Sequence, residues 1–204
     1  MIVLGLLGPF RFIVDQVDRT ALLSYDKVKL LAAVLCLAQG KVLQRERLAQ
    51  MLWPDLTRDK ALLRLRHALH VLRKALGEQA ACLVANAEGA MAFKPESVQM
   101  DVLEFLQADA AQDARLSQRL SLYVGPFLDA IQSPDTEVFI SWRQSWEDRL
   151  ALELLSLRAR LFEQLLQARQ LDQALALAQE WVQQAPEQEV YHRLLINVLM
   201  QRGD

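Results

Sequence analysis

A mainly α-helical fold with a small β component is the class the sequence predicts, and three observations carry it. Forty leucines stand against 7 glycines, 6 prolines and 14 aromatic residues, a balance of propensities that favours helix. Apolar residues recur at spacings of three and four over several long stretches, the period of a helix with one buried face. Alternating segments bounded by turn residues are confined to the first two dozen residues and to residues 82–93, which leaves room for a few short strands only. A chain of this size buries roughly 70% of its unfolded surface, enough for one domain or two. The 52% hydrophobic and 24% charged composition is that of a soluble globular protein and excludes disorder, a collagen-like chain and an all-β sandwich.

Residues 2–14 alternate around Gly8-Pro9 and predict two short antiparallel strands. A third strand is expected at residues 21–23. Ser24 is the expected N-cap of a helix over Val28, Leu31, Ala32, Leu35 and Cys36 that Gly40 stops. A second helix spans residues 45–53, with Leu48, Met51 and Leu52 on its apolar side and Pro54 as its end. Thr57 is placed to cap a third helix that reaches Leu76 and terminates at Gly77. Residues 82–93 then read as a hairpin around Glu88-Gly89.

Strands, three helices and a hairpin, in that order, make a winged helix-turn-helix. In the third helix Leu62, Leu65, Leu69, Leu72 and Leu76 form one apolar stripe for the core. The opposite face carries Lys60, Leu63, Arg64, His67, His70, Val71 and Lys74, with Arg66 and Arg73 along one flank. Between Arg58 and Lys74 there are six basic residues and one acid, Asp59. Such a helix suits a major groove, with cations against phosphates and long polar side chains against base edges. Alone, the pattern equally fits an ordinary amphipathic helix with a solvated basic face. The preceding helix and following hairpin favour the groove, because those are the parts a docked helix uses for backbone contacts.

Charge is partitioned in the same sense. The formal net charge of −2 combines a net +5 over residues 1–98 with a net −7 over residues 99–204. A basic first half joined to an acidic helical half suggests a nucleic-acid-binding module attached to a second one.

Several blocks of the first half together resemble the DNA-binding domain of the antibiotic regulatory protein family of bacterial transcriptional activators. They are Leu6-Leu7-Gly8-Pro9-Phe10-Arg11-Phe12, Arg45-Glu46-Arg47-Leu48-Ala49, Leu52-Trp53-Pro54-Asp55, Leu65-Arg66-His67-Ala68-Leu69 and Leu72-Arg73-Lys74-Ala75-Leu76-Gly77. The resemblance implies an OmpR-like winged helix whose third helix reads the major groove while the hairpin touches the minor groove. It implies groove-facing or phosphate-facing positions for Arg64, Arg66, His67, His70, Arg73 and Lys74. Arg64, His67, His70 and Lys74 are expected to face bases. Arg66, Arg73, Arg45 and Arg47 are expected at phosphates, with Lys60 and Lys94 as further basic contacts, unless a flank arginine pairs with an acid of the second half. Two departures predict modest affinity: Val71 stands where relatives often carry arginine, and the hairpin offers Glu88 and a single base, Lys94.

From Met100 onward the chain reads as successive helices, over residues 101–106, 116–124 and 139–166, with a turn at residues 123–129. The block Tyr123-Val124-Gly125-Pro126-Phe127-Leu128-Asp129, followed by Phe139-Ile140-Ser141-Trp142-Arg143, resembles the bacterial transcriptional activator domain that accompanies the winged helix in the same family. A shift of 34 residues superposes Leu161 on Leu195 and Leu165 on Leu199. Ala174, Trp181 and Pro186 then take the small, bulky and closing positions of a tetratricopeptide-like helix-pair repeat. Arg169 stands where the next copy has Gly203. Residues 1–97 are thus the expected DNA-binding domain and residues 99–204 the expected activator domain. The latter is expected to be truncated at its C-terminal end, since Tyr191, Leu194, Leu195, Val198 and Leu199 call for a covering helix or a second subunit.

Enzymatic chemistry is not expected. No phosphate loop, nucleophile elbow or zinc-protease motif occurs, and no catalytic residue, cofactor or metal site is assigned. The pair His67 and His70 lacks a third ligand nearby, and His192 is expected on a repeat-helix surface. Cys36 and Cys82 form neither a disulfide framework nor a ligand spacing, which suits a reducing cytoplasm. The longest uncharged apolar run, residues 30–38, is about half of what a bilayer crossing needs. The resemblance therefore implies a cytoplasmic, DNA-binding transcriptional activator, acting as a dimer or tandem assembly on double-stranded DNA and contacting RNA polymerase. The alternative reading is a protein-interaction scaffold, with a degenerate winged helix, controlling an effector domain beyond residue 204.

Overall fold

Two short strands joined through residues 6–10 open the chain. In the computed structural model, which describes residues 1–86, 89–107 and 116–203, β1 (Ile2–Gly5) and β2 (Arg11–Val14) pair antiparallel. β2 then reverses through Asp15 and Gln16 onto β3 (Val17–Asp18). Both turn residues have positive φ, 50° and 68°, the geometry that matches a two-residue turn to the twist of its strands. The expected strand at residues 21–23 is absent, because Thr20–Leu22 is a turn of 3-10 helix. There the Thr20 hydroxyl accepts the Phe12 N–H at 2.8 Å and the Thr20 N–H donates to Asp18 at 2.8 Å, so the backbone leaves the sheet.

Three helices follow, α1 (Asp26–Leu37), α2 (Arg45–Leu52) and α3 (Arg58–Leu76). Tyr25, rather than Ser24, is the N-cap of α1 and supplies no side-chain bond. Its first turn is held instead by Asp26, whose carboxylate accepts from the Gln132 N–H at 3.0 Å and from Lys29 Nζ at 3.1 Å. Thr57 does occupy the N-cap position of α3, without a side-chain bond, and Gly77 ends the helix at φ +57°. The buried stripe of α3 differs in one respect from its leucine pattern. Leu62 is half-buried, whereas Ala61, Ala68 and Ala75, seven apart, are buried with Leu65, Leu69, Leu72 and Leu76.

The hairpin β4 (Leu83–Ala85) and β5 (Met91–Phe93) comes next, in register Leu83 with Phe93. Glu88 of its turn lies outside the described residues. β6 (Val98–Met100) then pairs parallel to β1, giving a four-stranded sheet in the order β3-β2-β1-β6. α4 (Asp101–Leu106) follows. Asp101 closes this junction, its carboxylate accepting from the N–H groups of Leu6, Leu7 and Val102 at 2.8, 2.9 and 2.7 Å.

The chain divides into two compact units, residues 1–107 with 122–149 and residues 108–121 with 150–204. The contacts thus group β6, α4 and residues 122–149 with the winged helix, not with the helical half expected from residue 99. The reason is local. Leu7 bridges Phe127, the Gly8 N–H donates to Pro126 at 3.0 Å and the Leu128 N–H donates to Leu6 at 2.9 Å. A Cβ on Gly8 would lie 3.1 Å from the Gly125 nitrogen, so the two glycines permit this approach.

The second unit contains α5 (Leu116–Leu120), shorter than the expected 116–124, residues 150–167 of α6 (Glu137–Gln167), α7 (Leu171–Gln184) and α8 (Glu189–Arg202). Phe162, Leu165, Ala174, Ala178, Trp181, Tyr191 and Val198 form its core. Tyr191 and Val198 therefore do not lack a cover, since they pack with the α7 residues of this core; Val190, Ile196 and Met200, 39%, 56% and 74% exposed, are the bare apolar residues of α8. Arg158 donates to the Tyr191 hydroxyl at 2.6 Å and lies over the Trp181 ring at 5.3 Å. Arg169 and Gly203, 34 residues apart, both adopt positive φ, 55° and 82°, so the repeat keeps its helix-ending conformation even where glycine is missing.

Truncation of Leu72, fully buried on α3, to alanine is expected to lower the unfolding free energy by about 2–5 kcal/mol in chemical denaturation. At Asp26, burial alone pushes the carboxyl pKa up, and the Gln132 N–H and Lys29 ammonium overcome it, leaving the value below that of a free carboxyl. Its contribution to stability is complete above about pH 4 and is lost as the pH falls through the lower folded value. Asp26→Asn should accordingly be less stable than wild type at pH 6, with the gap closing on acidification.

Candidate nucleic-acid interface

Burial of the leucine and alanine stripe leaves α3 one rotational setting, and that setting turns its cations to solvent. Lys60, Arg64, Arg66, His67, His70 and Lys74 are all exposed, while Arg73 and Val71 are half-buried. Leu63 stands among them at 62% exposure. A shallow groove along this face is lined by Leu56, Lys60, Leu63, Arg64, Arg66, His67 and His70. No carboxylate lines it. The Tyr25 ring stacks on His67, with centroids 6.2 Å apart and planes 11° apart, and so sets one edge of the surface.

The flank arginines find a partner that sequence spacing did not show. Arg45 of α2 shares a cleft with Arg66 and Arg73, beneath which lie Leu65 and Leu69. Its Nη2 is 3.6 Å from the Met91 sulfur, and its guanidinium borders Gly89 at the hairpin turn, 3.8 Å from a Cβ built there. A cation from α2 thus stands beside a hairpin that has little charge of its own. The one acid in the cleft, Glu46, faces Arg58 at 3.4 Å.

Two of the expected basic contacts lie elsewhere. Arg47, about 200° around α2 from Arg45, lines a separate groove with Trp142 and Trp146. Lys94 follows β5 at the base of the hairpin, its N–H donating to Cys82 at 3.0 Å, at the end opposite the turn. His192 is exposed, its ring 2.8 Å from the Pro186 carbonyl. Among the described residues no cluster of three or more His, Cys, Asp or Glu could hold a metal ion, and no helix is long and apolar enough to cross a membrane.

Residues 93–204, more than half of the chain, match the family described as the bacterial transcriptional activator domain. The chain belongs to this family. The strands, three helices and hairpin that precede the matched residues, together with the match, support the resemblance to antibiotic-regulatory-protein-like regulators with an activator domain. The family's match begins inside the hairpin and so includes β6, α4 and residues 122–149, which the contacts group with the winged helix. A solved structure, Mycobacterium tuberculosis EmbR in complex with a low affinity phosphopeptide, is similar in fold at TM-score 0.72 and 18% identity. The similarity covers 97% of this chain, which spans 54% of the length of that one. No curated protein matches the sequence.

Because Lys60, Arg64, His70 and Lys74 are exposed and form no ion pair among the described residues, each can be replaced by alanine without loss of core contacts. Their single variants should keep wild-type unfolding free energies within about 0.5 kcal/mol by denaturant titration.

Proposed function

We propose that this regulator binds double-stranded DNA by placing α3 in the major groove, and that the helical repeat unit serves dimerisation, signal input or contact with RNA polymerase in transcriptional activation. The observation that carries this reading is the exposed face of α3, with five cationic or histidine side chains and Leu63 around a groove without a carboxylate. His67, His70 and Lys74 point the same way as Leu63 by helical period, Arg64 stands about 100° to one side, and these four would meet base edges. Arg66, Arg73 and Arg45 border the common cleft and would meet phosphates on one side of the groove. Lys60, in the first turn of α3, would neutralise the backbone where the helix enters. Arg47 and Lys94 stand outside this set.

Few cations beyond α3 face the duplex in this reading, so a single copy would bind modestly. Two copies on adjacent half-sites, about one helical turn of DNA apart, would gain by effective concentration. The enzyme-free assignment and a cytoplasmic location belong to the same proposal.

A duplex selected from a randomised pool tests the reading by titration at several salt concentrations. Arg66→Ala with Arg73→Ala should weaken binding across sequences and reduce the salt slope by about 1 per lost phosphate contact. Arg64→Ala should cost about 1–3 kcal/mol and relax preference at one base position. Unchanged affinity and slope in both variants would overturn the assignment of α3.

A further inference from the structure

The groove that receives Arg47 lies on the side of α2 away from Arg45. Its floor is the buried ends of α1 and α2, with Val34, Leu37, Leu48 and Met51, and one wall is the first turns of α6, with half-buried Trp142 and buried Trp146. The cleft encloses about 580 Å³. Its α6 wall is tied down at its start and at mid-length. The Thr136 hydroxyl accepts the Phe139 N–H at 3.1 Å and donates to the Met51 carbonyl at 3.3 Å. Arg143 donates to Ser133 at 2.7 Å and to the Phe127 carbonyl at 3.2 Å.

The rim carries Lys41, Arg47 and Arg149, all exposed, and no acid lines the groove. Elsewhere in this unit Lys29, Arg58 and Arg143 each have a carboxylate within 4 Å. The three rim cations have none among the described residues. Arg149 lies over the Trp146 ring at 4.6 Å, which holds its charge above the apolar floor. Exposed Val138, at 53%, continues the apolar surface outward from the tryptophans.

We propose that this groove is a docking site for an acidic amphipathic peptide segment of a partner protein. Bulky apolar side chains of the segment would enter between Trp142 and Met51, and its carboxylates would meet Lys41, Arg47 and Arg149. An apolar floor lined by indoles offers nothing to a phosphate backbone, whereas an amphipathic helix uses floor and rim together. The approximately 200° between Arg45 and Arg47 on α2 separates the groove from the α3 face, so partner and duplex can be held at the same time.

The experiment is fluorescence anisotropy of the full chain with a labelled peptide about four helical turns long. The peptide carries leucine or phenylalanine at every third or fourth position and glutamate elsewhere. Binding is expected, with at least about a tenfold loss in the variant Lys41→Glu, Arg149→Glu, and no binding of the counterpart with lysine for every glutamate. Val138→Glu should weaken the acidic peptide through the apolar surface alone. These residues are exposed, and circular dichroism verifies that the variants fold. Absence of binding up to about 1 mM, equal binding of the lysine peptide, or unchanged affinity in the rim variant overturns the proposal. So does competition by duplex DNA together with a parallel loss of duplex binding in the rim variant, which would give the rim to nucleic acid.

Discussion

Burial of one face of α3 is the constraint on which the candidate interface depends. Leu65, Leu69, Leu72 and Leu76, with Ala61, Ala68 and Ala75 between them, are all removed from solvent. Each large member of that stripe is worth about 2 kcal/mol or more of transfer free energy. Rotating the helix by even one residue would expose several of them at once. Cations seven and four residues apart on the other side are therefore held outward by packing on the inner side, with no direct bond to fix them. Because the restraint lies in the core, the outer residues are free to differ in length and chemistry without disturbing the fold.

The same economy appears where residues 122–149 join the first unit. Asp101 gathers three N–H groups from the end of β1 and the start of α4. Burial raises its carboxyl pKa while those N–H groups act in the opposite direction, as expected of a half-buried charge kept in place by hydrogen bonds. Next to it, Gly8 and Gly125 bring Leu6, Leu7 and Phe127 into backbone contact. Two sequence blocks separated by more than a hundred residues become neighbours through these few bonds. Their union also builds the tryptophan-walled groove, since Trp142 and Trp146 reach α1 and α2 only because α6 starts beside Met51.

Much of this was legible in the sequence because it is periodic or local. The order of strands, helices and hairpin, the ends of α3 at Thr57 and Gly77, and the cationic outer face follow from spacings within one element. The misreadings arose where the deciding partner was distant or too small for a periodic signal. Residues 21–23 look like a strand until the Thr20 hydroxyl takes the Phe12 N–H. Three alanines at intervals of seven are invisible among forty leucines, although all three are buried. Arg45 and Arg47 look equivalent two residues apart on one helix, and opposite sides of α2 send them to different grooves.

By itself the sequence determined the helical class, the basic character of α3, the helix-pair repeat with its 34-residue period, and the resemblance to activator proteins. All of these are written within single elements or short blocks, where side-chain period and turn chemistry act alone. Tertiary structure decided which unit residues 122–149 belong to, which arginine stands beside the hairpin, and that a second, tryptophan-walled groove exists. Those outcomes depend on hydrogen bonds and close approaches between residues 85 to 120 positions apart, Met51 with Thr136, Asp26 with Gln132, Leu7 with Phe127. No local pattern encodes them, because the favourable term arises only once both surfaces have been built and brought together.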